Sequence, residues 1–271
     1  YKNFKNLKNS FLKFINKTPT MGKAFLCLDD REIKKIIPKV RNKNFLTYGF
    51  SKKANFRIFN VVYKKDYSIF DLKISTKGLK NIIIKKIKLN LIGSHNVLNS
   101  ASAIAVCLHT GISINVIKNS LKKFTGIQRR LTKVFEINKK EFFDDYAHHP
   151  TEIKSVLRGV RMTYANRKII SVFQPHRYSR LKLLKKDFAS SFKDSNLVVL
   201  CPVYPAGEKI DKGYDESEFA KLIAKNSKVQ VIIVKNEKDL RRFFIKNLIS
   251  NELIICMGAG SISKWIREMV L

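Results

Sequence analysis

The chain has 271 residues, 45% of them apolar, enough to bury one large core or two ordinary ones; this excludes disorder as the resting state. No apolar run reaches the thickness of a bilayer, and Tyr1 is followed by no basic leader with a small-residue cleavage site, as expected of a soluble fragment or processed chain rather than a secretory precursor. The net charge of +33 invites a nucleic-acid reading, but Lys34-Lys35, Lys52-Lys53, Lys85-Lys86 and Lys185-Lys186 are scattered along the whole chain, so the expectation is a solvated lysine surface that binds polyanions loosely at low salt.

The opening segment puts Phe4, Leu7, Phe11, Phe14 and Ile15 on one helical face, and Thr18–Gly22 ends it. Lys23–Leu28 reads as a buried strand, with Asp29 and Asp30 placed to cap a short helix through Val40. Further strands follow near Leu46–Phe50, Arg57–Tyr63, Ser68–Ile74 and Ile82–Leu89, antiparallel in part. Two helices, His95–His109 and Asn115–Phe124, close a first domain, residues 1–125.

From residue 126 to 271, strands near Leu131–Ile137, Glu141–Asp145, Ile169–Phe173, Leu197–Pro202, Val229–Val234 and Leu253–Met257 alternate with helices near Thr151–Tyr164, Ser179–Lys193, Glu216–Asn226 and Glu237–Leu248, and a last helix starts at Ser261. That succession predicts an α/β domain, its sheet mostly parallel and covered by helices on both faces. Cys27, Cys107, Cys201 and Cys256 are far apart among apolar neighbours, as expected of four buried thiols in a reducing cytoplasm.

In such a sheet ligands gather at the carboxyl ends of the strands, and the polar chemistry of this sequence is concentrated there. Asp144–Glu152 packs carboxylates, a phenol and two imidazoles into one strand-to-helix turn. Capping accounts for Asp145 or Thr151 and a first-turn proline for Pro150; Tyr146 and His148 are the functional candidates, and His149 is left open. Gln174–Arg180 sets Arg177 and Arg180 three apart at a helix start, where two guanidinium forks and the helix dipole can meet one anion.

The remaining motifs stay ambiguous alone. Arg129 and Arg130 can contact a nucleotide or pair with a carboxylate. Asn96 and Asn99 can read a purine edge or cap a helix. Glu208 is an active-site carboxylate or a solvated one. The turn Met257–Ile262 can cradle an anion on backbone N–H groups, or hold glycines for close packing.

Together the strings GSHNVLN, FTGIQRR, DDYAHHPTE, FQPHRYSR, VYPAGE and MGAGSI, with GKAFLCLDD and LTYGF upstream, resemble the Mur ligases over the whole chain. The resemblance is to the members that join L-alanine to UDP-N-acetylmuramate; those that attach a recycled peptide to the same sugar rank second. It implies the second half of a mixed-sheet central ATPase domain followed by a Rossmann-like C-terminal domain. A Gly-Lys-Thr/Ser phosphate loop, which that family carries, is absent from this sequence, so the chain by itself is expected to be inactive. Leu181 also stands where a threonine is common.

The resemblance further implies ATP and Mg2+ as cofactors, with the Mg2+ ligands mostly outside this sequence, and a cytoplasmic enzyme whose partners are UDP-N-acetylmuramate, L-alanine and ATP. Asn96 and Asn99 would hold adenine, and Arg130 and Asp145 would meet the ribose and phosphates. Tyr146, His148, His176, Arg177 and Arg180 would line the place where L-alanine meets the muramoyl carboxylate, either histidine acting on the amine, with a hinge near Gly126 closing the site. Two other classes compete: a basic nucleic-acid-binding protein and a free-standing dinucleotide-binding module. The absence of an aromatic–arginine stripe argues against the first.

Overall fold

The computed structural model describes residues 3–76 and 81–269 and divides the chain into two units, residues 1–125 and 126–271. The first unit runs α1 (Phe4–Asn16), β1 (Ala24–Cys27), α2 (Arg31–Ile36) with a 3-10 turn at Ile37–Lys39, β2 (Phe45–Gly49), β3 (Phe56–Tyr63), β4 (Ser68–Ile74), β5 (Ile82–Leu89), α3 (Ser94–His109) and α4 (Ile114–Lys123). Its sheet has the order β1-β2-β3-β4-β5, parallel from β1 to β3 and antiparallel from β3 to β5. Along β3 and β4 the alternate residues Phe56, Ile58, Phe70, Leu72 and Ile74 are buried with Val97, Ala101, Ile104 and Ala105 of α3, the pleat of a sheet packed on one helix face.

Three local expectations are corrected here. Asp30 alone caps α2, accepting from the Glu32 and Ile33 N–H groups. Asp29 reaches across to the end of β2, where its carboxylate accepts from the N–H groups of Phe50 (2.6 Å) and Ser51 (3.0 Å). A Cβ on Gly49 would lie 2.5 Å from that carboxylate, which is why glycine stands in this turn. Helix α1 buries Ile15 beside Leu12 against Leu26, Ile36 and Val40, leaving Phe4, Phe11 and Phe14 exposed. Lys8 pairs with Glu32 on α2 (3.1 Å) beside this contact. Finally, only Cys201 and Cys256 are buried; Cys27 and Cys107 are partly exposed, because their elements lie at the margin of a core covered on one face.

The second unit runs β6 (Thr132–Ile137), β7 (Lys140–Asp145), α5 (Pro150–Thr163), β8 (Ile169–Phe173), α6 (Tyr178–Leu183), α7 (Lys185–Ala189), β9 (Leu197–Leu200), α8 (Glu216–Ser227), β10 (Gln230–Ile233), α9 (Glu237–Asn247), β11 (Leu253–Met257) and α10 (Ile262–Glu268). Its sheet has the order β10-β9-β8-β11-β7-β6 and is parallel except for β6, which forms a hairpin with β7. Both faces are covered. Ile169, Phe173, Val198, Leu200, Leu253, Ile255 and Met257 pack with α5, α7 and α8. The intervening Ile170, Val172, Val199, Ile254 and Cys256 pack with α9 and α10. Strands buried on both faces read as continuous apolar runs, as here.

One helix was expected over Ser179–Lys193, and two are found. Leu184 leaves the helical region (φ −113°, ψ 19°), because α6 is tethered at its start while Phe188, Ala189 and Phe192 must turn into the core. Among the described residues no helix is long and apolar enough to cross a membrane.

Candidate functional site

Strands β9, β8, β11 and β7 are neighbours in the sheet, so their carboxyl ends set four loops side by side: Val203–Glu208, Gln174–Arg180, Gly258–Ser261 and Asp145–His149.

The two aspartates that end β7 turn opposite ways, as successive strand residues must. Asp144 is buried and accepts from Ser263 Oγ (2.6 Å) and from Arg267 Nε (3.1 Å) and Nη2 (2.9 Å), which ties α10 to the sheet. Asp145 is buried on the other side and accepts from the N–H groups of Leu131 and Ala147, each at 2.7 Å. Burial pushes its carboxyl up to about 6, against the pull of those two N–H groups and of Arg130. It thereby holds the Arg129–Leu131 turn, where Arg129 (φ 60°) and Leu131 (φ 49°) are left-handed. Arg130 itself is exposed.

Arg129, which the sequence did not distinguish from its neighbour, has the more specific surroundings. Its guanidinium lies 4.4 Å from the Tyr146 ring centroid and donates to the Gly258 carbonyl (2.8 Å), while its own carbonyl accepts from the Tyr146 N–H (2.7 Å). The only signal in the sequence was the arginine doublet. His149 proves to be the N-cap of α5, in place of Asp145 or Thr151, with a ring nitrogen 3.4 Å from the Thr151 N–H; Glu152 completes the box by accepting from the N–H groups of His148 and His149.

A run of rings then crosses the loops. Tyr146 meets His148 edge-on at 5.2 Å between centroids, His148 lies 5.8 Å from His176, and His176 stacks on Tyr204 at 5.6 Å. Arg180 donates from Nη1 to His176 Nδ1 (3.3 Å). Burial, then the charges of Arg180, His148 and Arg177, push the His176 imidazole below its ordinary range, with Glu208 opposing. Tyr146, His148, His176 and Arg180 thus adjoin one another, and Arg177 adds its charge to the group.

Arg177 stands at φ 70°, ψ 128°, a conformation L-residues rarely adopt. It is held by its N–H to the Tyr204 carbonyl (2.9 Å) and by the Tyr204 N–H to the Pro175 carbonyl (2.8 Å), with His176 and Tyr204 bridged as parallel strands. Glu208 resolves from ambiguity into a clamp: one carboxylate oxygen accepts from the Ser179 N–H (3.1 Å) and the other from Ser179 Oγ. The start of α6 is therefore already occupied by a carboxylate. An anion at this site falls to the guanidinium groups rather than to the helix terminus expected to assist them.

The glycine turn after β11 is likewise filled. Gln174, buried at the end of β8, accepts at Oε1 from the Ile262 N–H (3.0 Å) and donates from Nε2 to Ser261 Oγ (3.0 Å). A Cβ on Gly260 would lie 2.5 Å from Gln174 Oε1 and from Tyr204 Cγ. Close packing explains these glycines, and the N–H groups of Gly258 and Ile262, at the two ends of the turn, are already taken by the Asp145 carbonyl and by Gln174.

In the first unit, Asn96 and Asn99 are one turn apart on α3. The Asn96 amide donates to the Ile92 carbonyl (2.8 Å), and Asn99 is exposed. Among the described residues no group of three or more His, Cys, Asp or Glu side chains can hold a metal ion.

Residues 1–107 match the family described as the Mur ligase middle domain, and residues 129–260 that described as Mur ligase, glutamate ligase domain. The chain is 50% identical to a UDP-N-acetylmuramate–L-alanine ligase of Pelagibacter ubique over 99% of its length and 58% of that protein's. It is 38% identical to the ligase of the same name from Rickettsia felis over 99% of its length and 57% of that protein's. The structure of a UDP-N-acetylmuramate–alanine ligase from Thermotoga maritima superposes with a TM-score of 0.71 at 22% identity, covering 98% of this chain and 54% of that one, a likeness of fold. The chain thus spans little more than half the length of the curated relatives it matches. With both of its units matched to successive domains of one family, the chain belongs to the Mur ligases.

Proposed function

We propose that this chain supplies the amino-acid-handling and part of the nucleotide-handling residues of a cytoplasmic enzyme that joins L-alanine to UDP-N-acetylmuramate at the expense of ATP. The observation that carries the proposal is the group formed by Tyr146, His148, His176 and Arg180 across the ends of two strands, β7 and β8, with Arg177 beside it. An amide-forming site needs these parts. A carboxylate is a poor acyl donor until ATP converts it to an acyl phosphate, and that step is a matter of positioning and charge neutralisation. Arg177 and Arg180 provide planar donors for the alanine carboxylate or for charge that develops during attack. An imidazole close to its working range can orient or deprotonate the ammonium.

Asn96 and Asn99 are proposed to hold adenine, and Arg130 and Asp145 to face the ribose and phosphates. Mg2+ would neutralise the phosphates when bound; this chain's described residues offer it no cluster, so no step here is assigned to it.

The test uses the full-length protein that carries this chain. Arg180→Lys keeps the charge but loses the fork. It is expected to lower alanine-dependent turnover by two to three powers of ten, on the order of 2–4 kcal/mol. Asn96→Ala is expected to raise the apparent KM for ATP with little effect on turnover. Unchanged alanine handling in Arg180→Lys, or consumption of a peptide in place of alanine, overturns the proposal.

A further inference from the structure

We infer that the two imidazoles of the site have separate duties: His148 takes the proton from the incoming amine, and His176 donates a hydrogen bond to the anion that forms and leaves. The inference rests on the ligation reading above and deepens it.

The assignment follows from what each ring nitrogen touches. His148 Nδ1 lies 2.9 Å from the Tyr146 carbonyl oxygen. A carbonyl can only accept, so Nδ1 carries the hydrogen and the neutral ring keeps its lone pair at Nε2. Glu152 Oε2 lies 3.5 Å from the same Nδ1 and favours the same tautomer. It also stands ready to offset the positive charge that His148 acquires, the relation of a carboxylate to the base in a catalytic triad.

His176 is the reverse case. Arg180 Nη1 lies 3.3 Å from its Nδ1, and a guanidinium can only donate. Nδ1 is therefore the acceptor, and the neutral ring carries its hydrogen at Nε2. Burial and the charges of Arg180, His148 and Arg177 favour that neutral ring. The ring centroids are 5.8 Å apart, near enough for one bound acyl group to meet both.

The step balances as follows. The ammonium of the amino acid gives one proton to His148 Nε2. The freed lone pair forms the C–N bond to the acyl carbon of the acyl phosphate. The C–O bond to phosphate breaks, phosphate leaves with that electron pair, and the second proton on nitrogen goes with it. His176 Nε2–H donates first to the carbonyl oxygen as it becomes anionic, or to the departing phosphate.

Two measurements test this. In the 271-residue chain labelled with 15N, imidazole spectra at a pH where both rings are neutral are expected to show Nδ1–H at His148 and Nε2–H at His176. One shared tautomer, or the reversed pair, overturns the assignment. In the full-length enzyme, His148→Asn and His148→Gln are expected to lose about a hundredfold to ten-thousandfold in alanine-dependent turnover. They are expected to lose the acid limb of the pH–rate profile and to recover with an acceptor amine already neutral at the working pH. His176→Asn is expected to keep the acid limb and to lose turnover with either amine. The opposite pattern overturns the roles. A wild-type enzyme without alanine-dependent ATP consumption overturns the ligation reading and the chemical roles with it, while the spectra still decide the tautomers.

Discussion

Asp145 is a carboxylate kept from water by its position at the end of a strand buried on both faces. Its pKa rises from an ordinary 3.8 to about 6 in the fold, so the native state binds a proton that the unfolded chain releases between those values. For an acid raised in this way, the favourable contribution is complete below the unfolded pKa and is lost as pH rises through 6. The loss amounts to about 3 kcal/mol. Denaturant titrations of wild type and Asp145→Asn are expected to differ by a term that grows from pH 4 to pH 6 and is flat above; parallel curves across that range would contradict it. At this scale the sequence offered Tyr146, His148, Arg177 and Arg180 as candidates because unusual residues crowd the ends of β7 and β8, and the family resemblance added His176. It did not announce Arg129, whose stacking on Tyr146 and bond to Gly258 need a partner from the other end of the unit. Gln174 was hidden for the same reason: its bonds go to Ser261 and Ile262, and no local pattern encodes them.

Helix α6 has six residues and no cap from its own N-cap side chain; its start is held by Glu208 from the loop after β9. The Pro205–Glu208 turn carries two consecutive left-handed residues, Ala206 and Gly207, and these send Glu208 back toward Ser179. Glu208→Ala is expected to release the Ser179 amide to faster hydrogen exchange and, by loosening Arg177 and Arg180, to raise the KM for alanine roughly tenfold with the KM for ATP unchanged. Equal effects on both substrates would mark a general loss of folding instead. The order of strands and helices was legible because period-2 and period-3.6 patterns are local. The break at Leu184 and the rotation of α1 were not, since a tether in another loop sets the first and the packing of Ile15 and Leu12 on Leu26, Ile36 and Val40 the second.

For the whole molecule, the charge of +33 remains the loudest property, and the expectation of scattered lysines stands on the sequence alone. Binding to DNA or RNA is expected to be blind to sequence and gone by physiological salt, checked by titration at rising ionic strength. Tight binding that prefers one sequence at that salt would show a purpose in the charge. The order β10-β9-β8-β11-β7-β6 also bears on how the protein comes to exist in a cell. The strand that separates β7 from β8 is β11, made after every other strand of the sheet, and it pairs with both. While Leu253–Met257 is still inside the ribosome, β7 and β8 have an unfilled slot between them and each presents a bare edge. The nascent chain therefore carries the Tyr146–His148 loop and the His176 loop on separate pieces until β11 emerges and pairs with both edges. Long-range closure of this kind is slow and leaves apolar edges exposed in the interval. The meeting of the two loops is thus set by a strand that contributes none of the site's titratable side chains.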